Sequence, residues 1–173
     1  MSDDDERDVA QMLPIERLSL VRQDQIAPGG LMIVDGRDKD MPPAIAVLFT
    51  DEDNTHRRFH LALSAEGKIF PIQPSTANGG LWLVVDEWTL IVDPVSSYLA
   101  LGETPRAGDA FISDGVPGIV GRWDHATGYI STNGVLLPEP KWGSGYVGFR
   151  SWRIIIKRGV EEPMIIYERS RNG

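Results

Sequence analysis

The feature that most constrains the fold of this chain is a β-rich pattern that occurs twice, in residues 26–93 and again in residues 105–158. Turn residues and tryptophans follow in the same order in both segments, and the second segment matches the first with three shorter loops. The matched pairs are Gly29 with Gly108, Ile33 with Ile112, Asp35-Gly36 with Asp114-Gly115, Pro43 with Pro117, Ile45 with Ile119, Ser64 with Ser131, Gly67 with Gly134, Pro71 with Pro138, Trp88 with Trp152, and Ile91 with Ile155. The pattern predicts an internal duplication, and a repeat of this kind determines the whole architecture.

Strands are predicted throughout both segments, because short apolar or alternating runs are bounded by Gly, Pro and Asp. The predicted strands cover residues 31–34, 44–49, 59–63, 68–72, 81–85, 88–92, 110–113, 119–123, 129–131, 135–137, 146–149, 152–157 and 164–167. Before them, Val9, Met12 and Leu13 have helical spacing, so a short helix is expected over residues 5–13, ending near Pro14. Residues 15–22 fit a helix or a strand.

These patterns predict an all-β fold, an internally duplicated β-barrel or sandwich with a short N-terminal helical arm. The two similar β units would each be roughly 55–70 residues long. The expected organisation is an acidic arm over residues 1–25, a first β unit and bridge over 26–104, and a second β unit over 105–173. Tight hairpin turns are expected at Asp114-Gly115 and Asn133-Gly134, because these residue pairs tolerate a positive φ.

The net charge of -8 is spread unevenly along the chain. Residues 1–25 carry 7 acidic and 3 basic residues (-4), residues 26–104 carry 11 and 5 (-6), and residues 105–173 carry 7 and 9 (+2). An acidic chain repels nucleic acid, whose binding requires Lys and Arg at phosphates. The asymmetry fits either a head-to-tail contact between the first unit of one molecule and the second unit of another, or ordinary solvated charge that has no meaning for a partner.

Compartment and membrane association follow from composition. The chain has no cysteine, which excludes disulfides and thiolate chemistry. Its acidic start is unlike a signal peptide, and it contains no apolar run of about 18 residues that would span a membrane as a helix. A cytoplasmic protein without a membrane partner is predicted.

Several motifs suggest catalysis or metal binding, but the sequence around each of them does not support that function. Residues 143–148 match G-x-G-x-x-G but lead into a strand, whereas a dinucleotide site needs a helix there. His56 and His60 are four residues apart, about 13 Å along a strand, too far to share one metal ion. His125 follows Asp124 without a nucleophile elbow. The acidic loops, with Asp35, Asp38, Asp40, Asp51, Glu52 and Asp53, do not have EF-hand spacing. No catalytic residue, metal or cofactor is predicted.

The best binding candidates lie in the second unit. Trp142 falls in a glycine- and proline-containing stretch, with Lys141 beside it and Arg150 nearby. Because Trp and Arg are enriched at interface hot spots, these three residues are the candidate binding site. The alternative is that Trp142 folds back as a lid over the end of the β unit.

The sequence therefore favours a non-enzymatic interaction or assembly module, a structural subunit of a larger homo-oligomeric particle with its own chain as partner. One alternative is a small-ligand-binding protein or enzyme with its site in the cleft between the two units, since pockets favour domain interfaces. Another is an acidic regulatory partner of a basic protein.

Overall fold

The structure is a computed structural model that describes residues 18–35, 41–63, 72–74, 80–85, 87–99, 103–123, 125–140, 145–157 and 162–170. These residues form 15 strands and two short 3-10 helices, Gln23–Gln25 and Pro94–Ser96. The predicted all-β class is confirmed. The helix expected over residues 5–13 lies outside the described residues. Within the ambiguous segment 15–22, Ser19–Arg22 is a strand.

The first sheet has six antiparallel strands, β1 (Ser19–Arg22), β2 (Leu31–Asp35), β3 (Ala44–Thr50), β4 (His56–Ala62), β5 (Ile72–Pro74) and β6 (Leu81–Val85). Their order across the sheet is β1-β6-β2-β3-β4-β5. The chain then forms β7 (Thr89–Val92), which belongs to a different sheet.

The second sheet also has six strands, β8 (Ser97–Leu99), β9 (Ala110–Ser113), β10 (Val116–Trp123), β11 (Ala126–Ser131), β12 (Leu136–Leu137) and β13 (Tyr146–Phe149). Two strands follow, β14 (Trp152–Ile156) and β15 (Met164–Arg169). Together with β7 they form a third sheet, in the order β15-β14-β7.

The two six-stranded sheets have the same strand order. Read from β8, the second sheet runs β8-β13-β9-β10-β11-β12, which follows β1-β6-β2-β3-β4-β5 strand for strand. We call residues 18–93 the first unit and residues 94–157 the second unit. β1 and β8, which were expected to lie in the arm and in the bridge, each pair within a six-stranded sheet, with β6 and β13.

Main-chain hydrogen bonds in the two units also correspond. Gly29 N–H donates to Ala46 O at 2.8 Å, and Gly108 N–H donates to Val120 O at 2.6 Å. Both glycines have a positive φ, 83° and 93°, which glycine adopts without a steric penalty. Gly29 and Gly108, which the sequence pattern matches, therefore have the same local geometry, just before β2 and just before β9.

The middle of the sequence alignment differs from this geometry by two residues. Leu63 N–H donates to Pro43 O at 2.7 Å, and Thr132 N–H donates to Pro117 O at 2.9 Å. Leu63 therefore corresponds to Thr132, whereas matching Ser64 to Ser131 would place Leu63 over Ile130.

Among the described strands there is no closed barrel, so the barrel alternative is wrong for this part of the chain. Each six-stranded sheet is open and ends in edge strands, β1 and β5 in the first and β8 and β12 in the second. Closing a barrel would require these edges to pair with each other.

A shared apolar core joins the three sheets. It contains side chains from the first sheet, the second sheet and β14, including Leu31, Ile45, Ile119, Ile130 and Ile154. A smaller cluster around Trp82 covers the other face of the first sheet, and one around Phe111 covers the other face of the second. Each of the two six-stranded sheets thus buries apolar side chains on both faces.

Candidate interaction surface

Within the part of the chain that the structure describes, β7 is an edge strand. It pairs antiparallel with β14, with Leu90 opposite Ile154 and Val92 opposite Trp152. β14 has β15 on its other side, whereas no described strand pairs with the second side of β7. A strand edge of this kind presents N–H and C=O groups that can pair with another strand.

A cavity of about 550 Å³ adjoins β7, and we call it the β7 slot. The first unit contributes residues 27–30 and 88–90 to its lining, and the second unit contributes Pro117, Thr132 and Asn133. Trp88 is fixed in this lining because its indole Nε1–H donates to Gly29 O at 2.8 Å. The slot therefore lies between the two units and beside a strand edge.

The corresponding place on the second unit is occupied by β15. Trp152, the counterpart of Trp88, donates from Nε1 to Gly108 O at 2.7 Å. Tyr167 of β15 packs on the Trp152 ring with centroids 5.2 Å apart. Arg169 Nη1 donates to Ala107 O at 3.3 Å. The β7 slot thus corresponds to the position that the end of β15 fills in the second unit.

A buried charge cluster links β15 and β8 to the residue that precedes β9. Asp109 is fully buried, and its Oδ2 accepts hydrogen bonds from Tyr98 Oη at 2.6 Å, Arg106 N at 2.9 Å and Arg150 Nη1 at 2.7 Å. Arg150 also pairs with Glu103 at 2.8 Å, and Arg169 Nη2 lies 3.9 Å from Asp109 Oδ1. We call these residues the Asp109 cluster.

The Asp109 cluster shifts the pKa of its members. Burial and the hydrogen bond to Asp109 raise the pKa of Tyr98 far above the usual tyrosine range. For Arg150, burial lowers the pKa, but the hydrogen bond to Glu103 and the charge of Asp109 outweigh burial and raise it. Burial lowers the pKa of Arg169, although the charge of Asp109 opposes this. In the first unit Gly30 stands where Asp109 stands in the second, so the β7 slot has no such carboxylate.

Of the three predicted binding residues, Arg150 lies in the described part of the chain. It sits between β13 and β14, its side chain is 16% exposed, and its guanidinium lies 4.2 Å from the centroid of the Tyr98 ring. The structure therefore gives Arg150 intramolecular partners. Trp142 and Lys141 lie outside the described residues, so a site formed by all three stays a prediction.

The other candidate residues are dispersed. His56 and His60 both lie on β4, the first exposed and the second buried. His125 is exposed, and Asp124 lies outside the described residues. Asp51 accepts from Thr55 N at 2.8 Å and pairs with Arg57 at 3.3 Å, as a hairpin acid does. In the described ranges no three His, Asp or Glu side chains come together in a way that could hold a metal ion.

The Asp109 cluster and the β7 slot were not found by sequence reasoning. The repeat pattern matches Gly108 to Gly29, but sequence reasoning assigned no role to Asp109. The sequence does contain a signal for the additional strand that follows the second unit, because the apolar run at 164–167 has no counterpart after Trp88 in the first segment.

Comparison with family models, with curated proteins and with solved structures found no match to this chain. None of the helices in the described ranges has the length and apolar character that crossing a membrane requires.

Proposed function

We propose that this chain is a non-enzymatic assembly module that associates with copies of itself, as a cytoplasmic structural subunit of a homo-oligomeric particle. The observation that carries this proposal is the third sheet, which ends on both sides in apolar strands. β7 reads TLIV and β15 reads MIIYER. Each has one side without a described strand partner, so one molecule offers two different edges for association.

Exposed apolar side chains on other edge strands support the same proposal. Leu20 on β1 and Leu99 on β8 occupy corresponding positions in the two sheets, and both are 62% exposed. Ile165 on β15 is 45% exposed. Proteins commonly protect edge strands with lysine or proline to prevent association. β1, β7, β8 and β15 contain neither residue.

We also propose that the two units are copies produced by a duplication. The identical strand order and the paired hydrogen bonds of Gly29 and Gly108 support this. So do the two tryptophans, each of which donates to the glycine carbonyl of its own unit. A duplicated chain presents related but unequal surfaces, which is what a head-to-tail contact uses.

Native mass spectrometry of the purified chain over a concentration series tests the proposed function. A ring of fixed number or a ladder of oligomers is expected, and raising the salt concentration should weaken it if the charge asymmetry contributes. A bare monomer at every concentration contradicts the proposal.

A second candidate, a small-ligand-binding protein, is favoured by the β7 slot itself. Its volume of about 550 Å³ lies in the range of small-molecule sites, and residues of both units line it. In the same spectra, this candidate predicts a monomer that carries an additional small mass, lost in the variant Trp88→Ala.

A further inference from the structure

The third sheet relates the two units by a local twofold. Leu90 of the first unit pairs with the residue that corresponds to it in the second unit, Ile154. Val92 pairs with Trp152, and the counterpart of Trp152, Trp88, lies directly before β7. β7 and β14 are therefore equivalent strands that lie side by side. By this equivalence, each strand should have a similar neighbour on its outer side, and β14 has one in β15.

The side chains of β7 are less buried than those of the equivalent strand β14. In β14 every residue except Arg153 is buried, whereas in β7 Thr89 is exposed and the three apolar residues are half-buried. Trp152 is only 2% exposed beneath Tyr167, but Trp88 remains half-buried although it makes the same indole hydrogen bond. Because burying apolar surface stabilises association, covering this face favours binding.

We propose that the outer edge of β7 is an acceptor for strand β15 of a second copy, which continues the third sheet from one molecule into the next. This inference rests on the proposed self-assembly and names its interface. Each chain has one β7 edge and one β15 edge, so every acceptor has a donor. The contact is head-to-tail and generates a ring or a filament.

Charge distinguishes this arrangement from a contact between two β7 strands. In an antiparallel β7 pair, Glu87 at the start of one strand would approach Asp93 at the end of the other, and the twofold would repeat this contact. Like charges opposite each other destabilise strand pairs. β15 does not repeat this contact, since Glu168 and Arg169 leave the strand itself neutral. It also belongs to residues 105–173, with a net charge of +2, whereas β7 belongs to residues 26–104, with -6. The same argument disfavours the arm over residues 1–25, whose net charge is -4.

Cysteine cross-linking tests this interface directly, because the natural chain contains no cysteine. Thr89 on β7 and Glu168 and Ile165 on β15 are exposed. We would mix Thr89→Cys with Glu168→Cys, and separately with Ile165→Cys to cover a second register, and then oxidise. Because each variant carries a single cysteine, any cross-link joins two molecules.

The expected result is a cross-linked dimer in at least one mixture and none with Thr89→Cys alone. Cross-linking of Thr89→Cys to itself would overturn the proposal in favour of a β7–β7 contact. An oligomer in native spectra without cross-linking in either mixture would overturn this interface while leaving self-assembly standing. A wild-type monomer would overturn both.

A lysine on the edge provides a second measurement without a cysteine. Thr89→Lys should raise the dissociation constant of the oligomer at least about 10-fold, since a charge on an edge strand blocks pairing. Thr55→Lys makes the same charge change at an exposed hairpin position in the first unit and should leave the constant within about 2-fold. Equal effects of the two variants would contradict the proposed interface.

Discussion

Asp109→Asn should destabilise the chain strongly, because it removes the one negative charge that is fully buried in the Asp109 cluster. Asp109 is 0% exposed, and the side chains of Arg150 and Arg169 beside it are only 16% and 9% exposed. Without the carboxylate, both poorly solvated guanidinium groups lose the buried negative charge that they approach. Removing one partner of a buried ion pair costs about 3–5 kcal/mol.

The lower end of that range applies to Asp109→Asn. Arg150 keeps its pair with Glu103, and the asparagine oxygen can still accept from Tyr98 or Arg106. We therefore expect a loss of about 3 kcal/mol in the free energy of unfolding. For a chain of this length that loss lowers Tm by about 6–12 °C. Urea unfolding and thermal melting, both followed by circular dichroism, measure the two quantities.

Asp53→Asn is the matched control, because Asp53 is an exposed acid in the β3–β4 hairpin. It should change the free energy of unfolding by no more than about 0.5 kcal/mol. Combining Asp109→Asn with Arg150→Met should cost less than the sum of the two single changes, since the cation that needed the carboxylate is gone. If Asp109→Asn behaved like Asp53→Asn, the cluster would not be holding β15 and β8 in place.

The remaining predictions concern tyrosines, glycines and tryptophans. Burial raises the pKa of Tyr129, Tyr146 and Tyr167 to about 12. Burial raises the pKa of Tyr98 still further. The unfolded chain loses these protons near pH 10 and the folded chain only near pH 12 or above, so between pH 10 and 12 stability falls by about 1.4 kcal/mol per pH unit for each tyrosine. Tyrosinate absorbance should rise only with unfolding; a separate rise at lower pH in the folded chain would contradict the shifts. Gly134→Ala should cost more than about 3 kcal/mol, because an added Cβ would clash with Gly29 N and Ala46 O. Gly115→Ala, with φ +81° and open space around it, should cost only about 1–2 kcal/mol, and equal losses in urea unfolding would refute the clash argument. Trp152→Phe should cost about 1–2 kcal/mol more than Trp88→Phe, since both lose an indole hydrogen bond but only Trp152 is buried beneath Tyr167; a reversed order of Tm values would be inconsistent with this.

Local structure was the part of the fold that the sequence predicted well. The Asp114-Gly115 pair forms the two-residue turn between β9 and β10, with φ of 49° and 81°. This is the conformation that Asp-Gly favours, and it depends on two adjacent residues only. Strand positions were predictable for a similar reason, because alternation and bounding glycines and prolines are visible within a few residues.

Contacts between distant residues were not predictable in this way. Asp109 meets Tyr98, Arg150 and Arg169 only because β8, the β13–β14 turn and β15 converge, and no short spacing marks that convergence. The two-residue error at Ser64 has another cause. Identical residues were matched there, whereas the hydrogen bonds of Leu63 and Thr132 fix the true correspondence. Identity of side chains is a weaker constraint than strand register, since a shift of two keeps the same face inward.

The open edge of β7 follows from the way the two units are joined. The second unit is followed by a strand, β15, that pairs with the outer side of β14. After β7 the chain passes through the 3-10 helix Pro94–Ser96, capped by Asp93, whose side chain accepts from Val95 N at 2.9 Å, and enters β8 at once. β8 pairs with β13 in the second sheet and not with β7, so among the described residues no strand covers this edge. The β15 edge of another copy is the partner we propose for β7, because β15 already covers the equivalent strand β14, and association through this edge is the consequence we expect of the tandem arrangement.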